Sequence, residues 1–175
     1  MDRPATRAPV IRTAVVPVSE ILGLRWEVLR PGLPREAAVF AEDADPATFH
    51  IAARNGADPA VMGCGTFFPD PFPGPFPQQP DTRTASTAAD TVPAYRFRGM
   101  ASAPAARGRG YGTAVLRAGT AEAAARGARL LWCNGRTAAR TFYEHHGFTA
   151  CGEEFVIEGV GPHLVFVRGI DAVPR

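Results

Sequence analysis

An α/β domain is predicted from three observations. An extended stretch, Tyr95 to Ala103, runs into a glycine-rich turn, then an Ala- and Leu-rich helical segment, then the short apolar strand Leu130-Leu131-Trp132-Cys133, which is the order a parallel crossover requires. Upstream, two strand-like runs flank Asn55-Gly56-Ala57-Asp58-Pro59, the mark of an antiparallel hairpin. Finally, 175 residues of which 46% are hydrophobic supply one core and call for no second domain, so residues 1–175 read as a single unit.

The elements follow in order. Val10 to Val16 is a first strand, and Ser19 to Leu29 a helix with Ser19 as N-cap and Pro31-Gly32 as its stop. Pro34 to Asp45 shows no period. Thr48 to Arg54 alternates Phe49, Ile51 and Ala53 against His50 and Ala52, and the turn leads into Val61 to Phe68. An insert spans Phe67 to Pro93. Phe67, Phe68, Phe72 and Phe76 interleave there with Pro69, Pro71, Pro73, Pro75 and Pro77, and Gln78 to Asp90 is polar. Prolines at that density forbid a regular helix or internal strand, so the Phe/Pro half either lines or lids a site, or packs as an arm on the surface or on a partner subunit. After Tyr95 to Ala103, the second helix is Thr113 to Arg126, with Val115, Leu116 and Ala123 on its inner face and Gly127 as cap. A third, about Thr137 to His146, is ended by Gly147, and His163 begins the last strand.

Composition excludes several functions. The chain has no lysine, and its 19 arginines against 17 acidic residues give a net charge of +2. That charge is scattered and too small for a nucleic-acid stripe. No apolar run approaches the roughly 18 residues of a membrane span, and Met1 to Pro9 lacks the pattern of a signal peptide, so a cytoplasmic protein is expected. Cys64, Cys133 and Cys151 have no metal-ligand spacing and leave one thiol over in any disulfide scheme. No metal is expected, and the thiols read as buried or neutral.

The most informative run is Arg107-Gly108-Arg109-Gly110-Tyr111-Gly112, with Thr113 beyond it. Glycines at alternate positions let backbone amides approach an anion and allow positive φ, and the helix that opens there adds its unsatisfied N–H groups. Two guanidinium groups supply planar, permanently charged donors, so a pyrophosphate fits. A Walker loop is excluded because it needs a lysine, and a dinucleotide fingerprint because the spacing is Gly-x-Gly-x-Gly with no acid from Ala125 to Leu131.

The pattern Arg-x-x-Gly-x-Gly, at Arg107, Gly110 and Gly112, resembles the acyl-CoA loop of the GNAT superfamily of N-acetyltransferases. Ala139-Arg140-Thr141-Phe142-Tyr143-Glu144-His145-His146-Gly147-Phe148 is similar to the second signature of that superfamily, Ala-x-x-Phe-Tyr-Glu-x-x-Gly-Phe. The resemblance covers roughly Tyr95 to Gly169 with motif support. Leu24 to Gly32 and Gly159 to His163 look like a branch of small members whose substrates are mostly unassigned.

The resemblance implies a mixed, mainly antiparallel twisted sheet of six or seven strands with helices on both faces. It implies acetyl-CoA as co-substrate, entering where the central strands part, with its pyrophosphate on Arg107 to Thr113. Main-chain groups of Gly99, Met100, Ala101 and Ser102 would bond the pantetheine arm and the thioester carbonyl. An Asn that contacts the cofactor in many relatives is replaced here by Arg136, with Asn134 two residues earlier and Ala139 opening the second signature. Tyr143 would be the general acid toward the departing thiolate, since a phenol holds its proton at neutral pH yet can donate when aligned.

His50, Glu153, Glu154 and His163 are candidates for the base that deprotonates the amine. His163 equally reads as a histidine satisfied by a turn carbonyl, Glu154 as a solvated residue or one that attracts a cationic amine, and an ordered water can replace them all. His145 and His146 complement a helix C-terminus. The acceptor is a small-molecule or peptide amine reached by direct attack, since no motif ties a cysteine or serine to a base. Two other readings keep the cradle: a non-catalytic acyl-CoA binding module, and transfer of a larger acyl group such as succinyl, with Arg96, Arg98 or Arg136 as its cation. Exposed Phe on the insert and the C-terminal strands offers a surface for a homodimer.

Overall fold

The computed structural model describes residues 8–74 and 92–171. Seven strands are present: β1 (Ile11–Val16), β2 (Phe49–Asn55), β3 (Gly63–Pro69), β4 (Ala94–Ser102), β5 (Leu130–Arg136), β6 (Thr149–Ile157) and β7 (Gly161–Gly169). They form one sheet in the order β1-β2-β3-β4-β5-β7-β6. β4 pairs with β5 in parallel, from Ala94 opposite Leu130 to Arg96 opposite Trp132, while β1 with β2, β2 with β3, β5 with β7 and β6 with β7 are antiparallel. The helices are α1 (Val18–Leu29), α2 (Tyr111–Ala125) and α3 (Arg140–His145). This is the mixed, mainly antiparallel α/β fold that the sequence predicts.

Several bounds differ from the sequence reading. Pro17 rather than Ser19 takes the N-cap of α1, and no side chain caps that end. The proline fixes an extended φ and presents no N–H, so the helix begins one residue before Ser19. β5 continues to Arg136, three residues past the apolar run, because β7 pairs with it along the whole length from Leu130 to Arg136. Thr137–Ala139 is a 3-10 turn leading into α3, and the aperiodic stretch after α1 holds two more, Arg35–Ala38 and Ala41–Ala44. Of the insert, Phe76 and Gln78 to Asp90 lie outside the described residues.

The chain divides into two compact units, each with its own packing. One comprises the described residues up to Phe67 with Gly99–Gly119, the other Phe68–Arg98 with the residues from Thr120 onward.

In the first unit, strand alternation sends Ala52 and Cys64 to one face, where they pack with Ala101 and with Ile21 and Leu24 of α1. Phe49 and Phe67 stack on the other face, with centroids 5.1 Å apart. That second face takes α2. A side chain at Gly119 would overlap the Phe67 ring, and one at Gly63 would meet Tyr111 and Val115, so glycines on both partners let the helix approach closely. Val115 and Leu116 are buried here, and Ala123 within the second unit, as the helical period predicts.

In the second unit, Ala94, Leu130, Trp132 and Val167 form a cluster on one face, with Phe72 edge-on to Trp132 at 6.0 Å. Trp132 also donates its indole N–H to the carbonyl of Asp70 at 2.9 Å. The first residues of the insert are thus packed as an apolar cover for that face. The opposite face carries Phe97, Cys133 and Phe166 and receives α3 through Tyr143.

Candidate functional site

The glycine loop lies in the first unit. After the 3-10 turn Pro104–Ala106, the chain passes through Gly108 and Gly110 at φ values of 71° and 91°, and α2 begins at Tyr111. Positive φ is costly for a residue with a Cβ, so two of the three alternating glycines answer a backbone demand. Gly112 is already helical. Tyr111 is 1% exposed and pins the start of α2 to the core. Among the described residues, the amides of Gly108, Gly110, Tyr111 and Gly112 donate to no backbone carbonyl, and the exposed guanidinium groups of Arg107 and Arg109 meet no side-chain acceptor. Unspent N–H groups at a helix start, flanked by two free cations, fit an anion of pyrophosphate type.

The β4 stretch proposed to meet the acyl arm is also shaped in this unit. Gly99 has φ 65° within the strand, and its carbonyl accepts from the Cys64 thiol at 3.9 Å. A Cβ at Gly65 would lie 2.7 Å from Met100 Sδ, so Met100 points its side chain toward the α2 face and offers only main chain elsewhere. Ala101 turns to the α1 face and is buried, and Ser102 is half-buried at the end of the strand.

Tyr143 lies in the second unit, 9% exposed, inside a box of rings. Its centroid is 4.6 Å from Phe166, 5.4 Å from Phe142, 5.9 Å from Phe148 and 6.1 Å from Phe97. Beneath it is Gly135, where a Cβ would come within 2.5 Å of Tyr143 Cε2 and 2.8 Å of Phe166. The Cys133 thiol is the polar group that faces the phenol. Burial pushes the phenol well above its usual value, Cys133 pushes the same way, and the Arg136 guanidinium opposes them. Tyr143 is therefore a protonated donor throughout the physiological range. Burial likewise raises the Cys133 thiol, which is no nucleophile in this setting.

The other candidates are placed as follows. Arg136 is exposed at the end of β5, opposite His163 of β7, and Asn134 is half-buried opposite Val165. Among the described residues, β5 from Cys133 to Arg136 pairs with β7 alone. Ala139 is half-buried in the 3-10 turn before α3. His163 is 5% exposed, and its Nδ1–H donates to the carbonyl of Gly161 at 2.8 Å, which leaves Nε2 as the nitrogen with a lone pair. Glu154 is exposed and accepts from the Thr137 hydroxyl at 2.8 Å; Glu153 is exposed beside it. His145 and His146 close α3, and His146 donates to the carbonyl of Phe142 at 3.0 Å.

His50, in the first unit, is enclosed. Its Nδ1 meets the Thr66 hydroxyl at 2.9 Å, and burial lowers its pKa against the pull of Asp43. Two partners of Tyr143, the Cys133 thiol and Gly135, were available in the alternation Leu131, Cys133, Gly135 along one face of β5 but needed the position of α3 to become meaningful. Arg25, fully buried in α1, carried no such signal. A cavity of about 550 Å³ opens beside Arg129, Gly147 and Arg168 at the Leu130 end of β5, the end remote from Asn134 and Arg136.

Residues 17–148 match the profile of the acetyltransferase (GNAT) family. The chain belongs to that family. It is 26% identical over 159 residues to the uncharacterized N-acetyltransferase YitI of Bacillus subtilis strain 168, covering 91% of this chain and 96% of that one. Among solved structures, Escherichia coli ElaA superposes with a TM-score of 0.67 at 14% identity, covering 91% of this chain and 99% of ElaA. A GCN5-related N-acetyltransferase from Kribbella flavida gives 0.62 at 19% identity, covering 95% and 100%.

GNAT members are enzymes that transfer acyl groups from acyl-CoA to amine acceptors, and this member shares their fold across almost its whole length. Among its described residues, no helix is long and apolar enough to cross a membrane, and no three His, Cys, Asp or Glu side chains gather as metal ligands would.

Proposed function

We propose that this GNAT enzyme moves an acetyl group from acetyl-CoA to an amine by direct attack, with Tyr143 as general acid. The observation that carries the reading is the Arg107–Gly112 loop, whose unspent amides and free guanidinium groups suit the pyrophosphate of the co-substrate. Main-chain groups of Gly99, Met100, Ala101 and Ser102 then hold the pantetheine arm and polarise the thioester carbonyl. Thr113, Asn134, Arg136 and Ala139 complete the contacts to the co-substrate.

Tyr143 is supported as the acid by its protonation, since burial keeps the proton on the phenol until a thiolate draws it. In the resting enzyme, the phenol faces the Cys133 thiol. His163 Nε2 and the Glu154 carboxylate stand as acceptors for the proton of the amine, the histidine with a fixed tautomer and the glutamate from an exposed position. A second reading is favoured by Arg136, whose charge reaches Tyr143. A cation there suits an acyl group that carries its own carboxylate, as succinyl does.

Calorimetric titration of the wild type and of the R107E/R109E double variant with acetyl-CoA, succinyl-CoA, CoA and ATP tests the cradle. Binding of CoA species by the wild type and its loss in the variant is the expected result, and no binding by the wild type overturns the reading. A thiol-release screen across amine classes, with acetyl-CoA and succinyl-CoA in parallel, then identifies the acceptor class and the preferred acyl group.

A further inference from the structure

Arg25 projects from α1 with no exposed surface and sits at the centre of a polar knot in the first unit. One terminal nitrogen donates to the carbonyl of Ala38 at 2.9 Å and to Asp43 at 2.7 Å. The other donates to Asp43 at 3.2 Å and to the Thr66 hydroxyl at 2.5 Å, and the same hydroxyl shares a hydrogen bond with His50 Nδ1 at 2.9 Å. Asp43 also accepts the Phe40 amide at 2.8 Å, and the guanidinium lies 4.0 Å from the centroid of the Phe40 ring. Arg25 Nε is buried with no partner.

A buried ion pair is a poor route to stability, because an apolar pair of similar volume often serves as well or better. Its location is more telling. Phe40 and Arg25 fill the space where a side chain at Gly99 would stand: a Cβ there would come within 2.7 Å of Phe40 Cε2 and 3.5 Å of Arg25 Nε. Gly99 is also where β4 takes φ 65°, a bend that only a rigid surround keeps in one form.

We infer that Arg25, through Asp43 and Phe40, is a positioning residue that fixes the bend of β4 at Gly99 and so aims the main chain of Met100, Ala101 and Ser102 at the acyl donor. The inference rests on the proposed function, which gives that stretch the thioester arm. Arg25 touches no substrate; it acts by holding the Cε2–Cζ edge of the Phe40 ring against the glycine.

Two variants test it. R25M/D43N removes both charges while leaving an oxygen to accept the Phe40 amide, and F40L leaves the ion pair but removes the ring that walls Gly99. Both are expected to lower kcat/KM for acetyl transfer, by up to the roughly 100-fold that small misplacements at a reacting centre cost. The melting temperature of R25M/D43N should stay near that of the wild type, and amide exchange should quicken within residues 99–102 ahead of the rest of the first unit.

Unchanged kcat and KM in both variants of an active wild type overturn the inference while leaving the proposed function standing. If R25M/D43N does not fold, F40L decides alone. A wild type that binds no acetyl-CoA removes the proposed function, and the inference falls with it.

Discussion

In the first unit, the bend at Gly99 is backed by charge: a guanidinium, a carboxylate, a hydroxyl and an imidazole, each with a directed bond. In the second, Tyr143 is backed by rings and by the missing side chain of Gly135. The two devices fail differently. A polar knot resists rotation of its members but becomes costly once one partner is lost, because the other is left buried and charged. An aromatic box tolerates small rotations, since its contacts are many and weak, yet has no spare volume.

The largest effect is expected at the knot. Arg25→Met leaves Asp43 buried without its cation and should lower the unfolding free energy by about 3–5 kcal/mol, measured by chemical denaturation, whereas R25M/D43N should recover most of that loss. Equal losses in the single and double variants would show that packing, and not the unpaired charge, governs the site.

Tyr143→Phe keeps the ring in its box and removes the proton, so kcat for acetyl transfer should fall at least about 100-fold with CoA affinity unchanged. A much smaller fall, with chemistry measured directly in single turnovers, would remove the acid role. Gly135→Ala attacks the same box through volume. Overpacking there should cost about 1–3 kcal/mol and displace the phenol, lowering kcat as well, and an unaltered Tm and kcat would mean that the ring has room to move.

The smallest effect concerns pH. His50 has a folded-state pKa below its usual 6.5, so the folded protein resists its protonation more than the unfolded chain does. Its contribution to stability is therefore complete above about 6.5 and is lost as the pH falls toward the folded value. Tm should drop between pH 7 and mildly acidic buffer, and His50→Gln should flatten part of that slope. Asp43 and Arg25 are the charged groups that face the ring, the first favouring protonation and the second opposing it.

The same contrast separates what the sequence makes legible from what it hides. The loop from Arg107 to Gly112 and the signature from Ala139 to Phe148 are local, and glycine placement and short-range pattern reveal both. The helical face of Val115, Leu116 and Ala123 is equally local. β5 outruns its apolar residues because β7 pairs with Asn134, Gly135 and Arg136, and such a partner is not coded by neighbouring sequence. The 3-10 turns between α1 and β2 were illegible for a related reason: Ala38 and Asp43 are held by Arg25, which lies 13 and 18 positions earlier. Ser19 looked like an N-cap by residue type, but Pro17 had already set the chain direction.

The thiols give the molecule a timer for its own opening. Cys64 is wholly buried, with its pKa pushed up to about 11, and Cys133 is buried and raised further still. A thiol-selective reagent cannot find either as a thiolate in the closed molecule, so each should be labelled only as fast as its surroundings breathe. Cys64 belongs to the first unit and Cys133 to the second, so mass spectrometry of a labelling time course would yield two opening rates from one unmodified chain, one for each half of the enzyme.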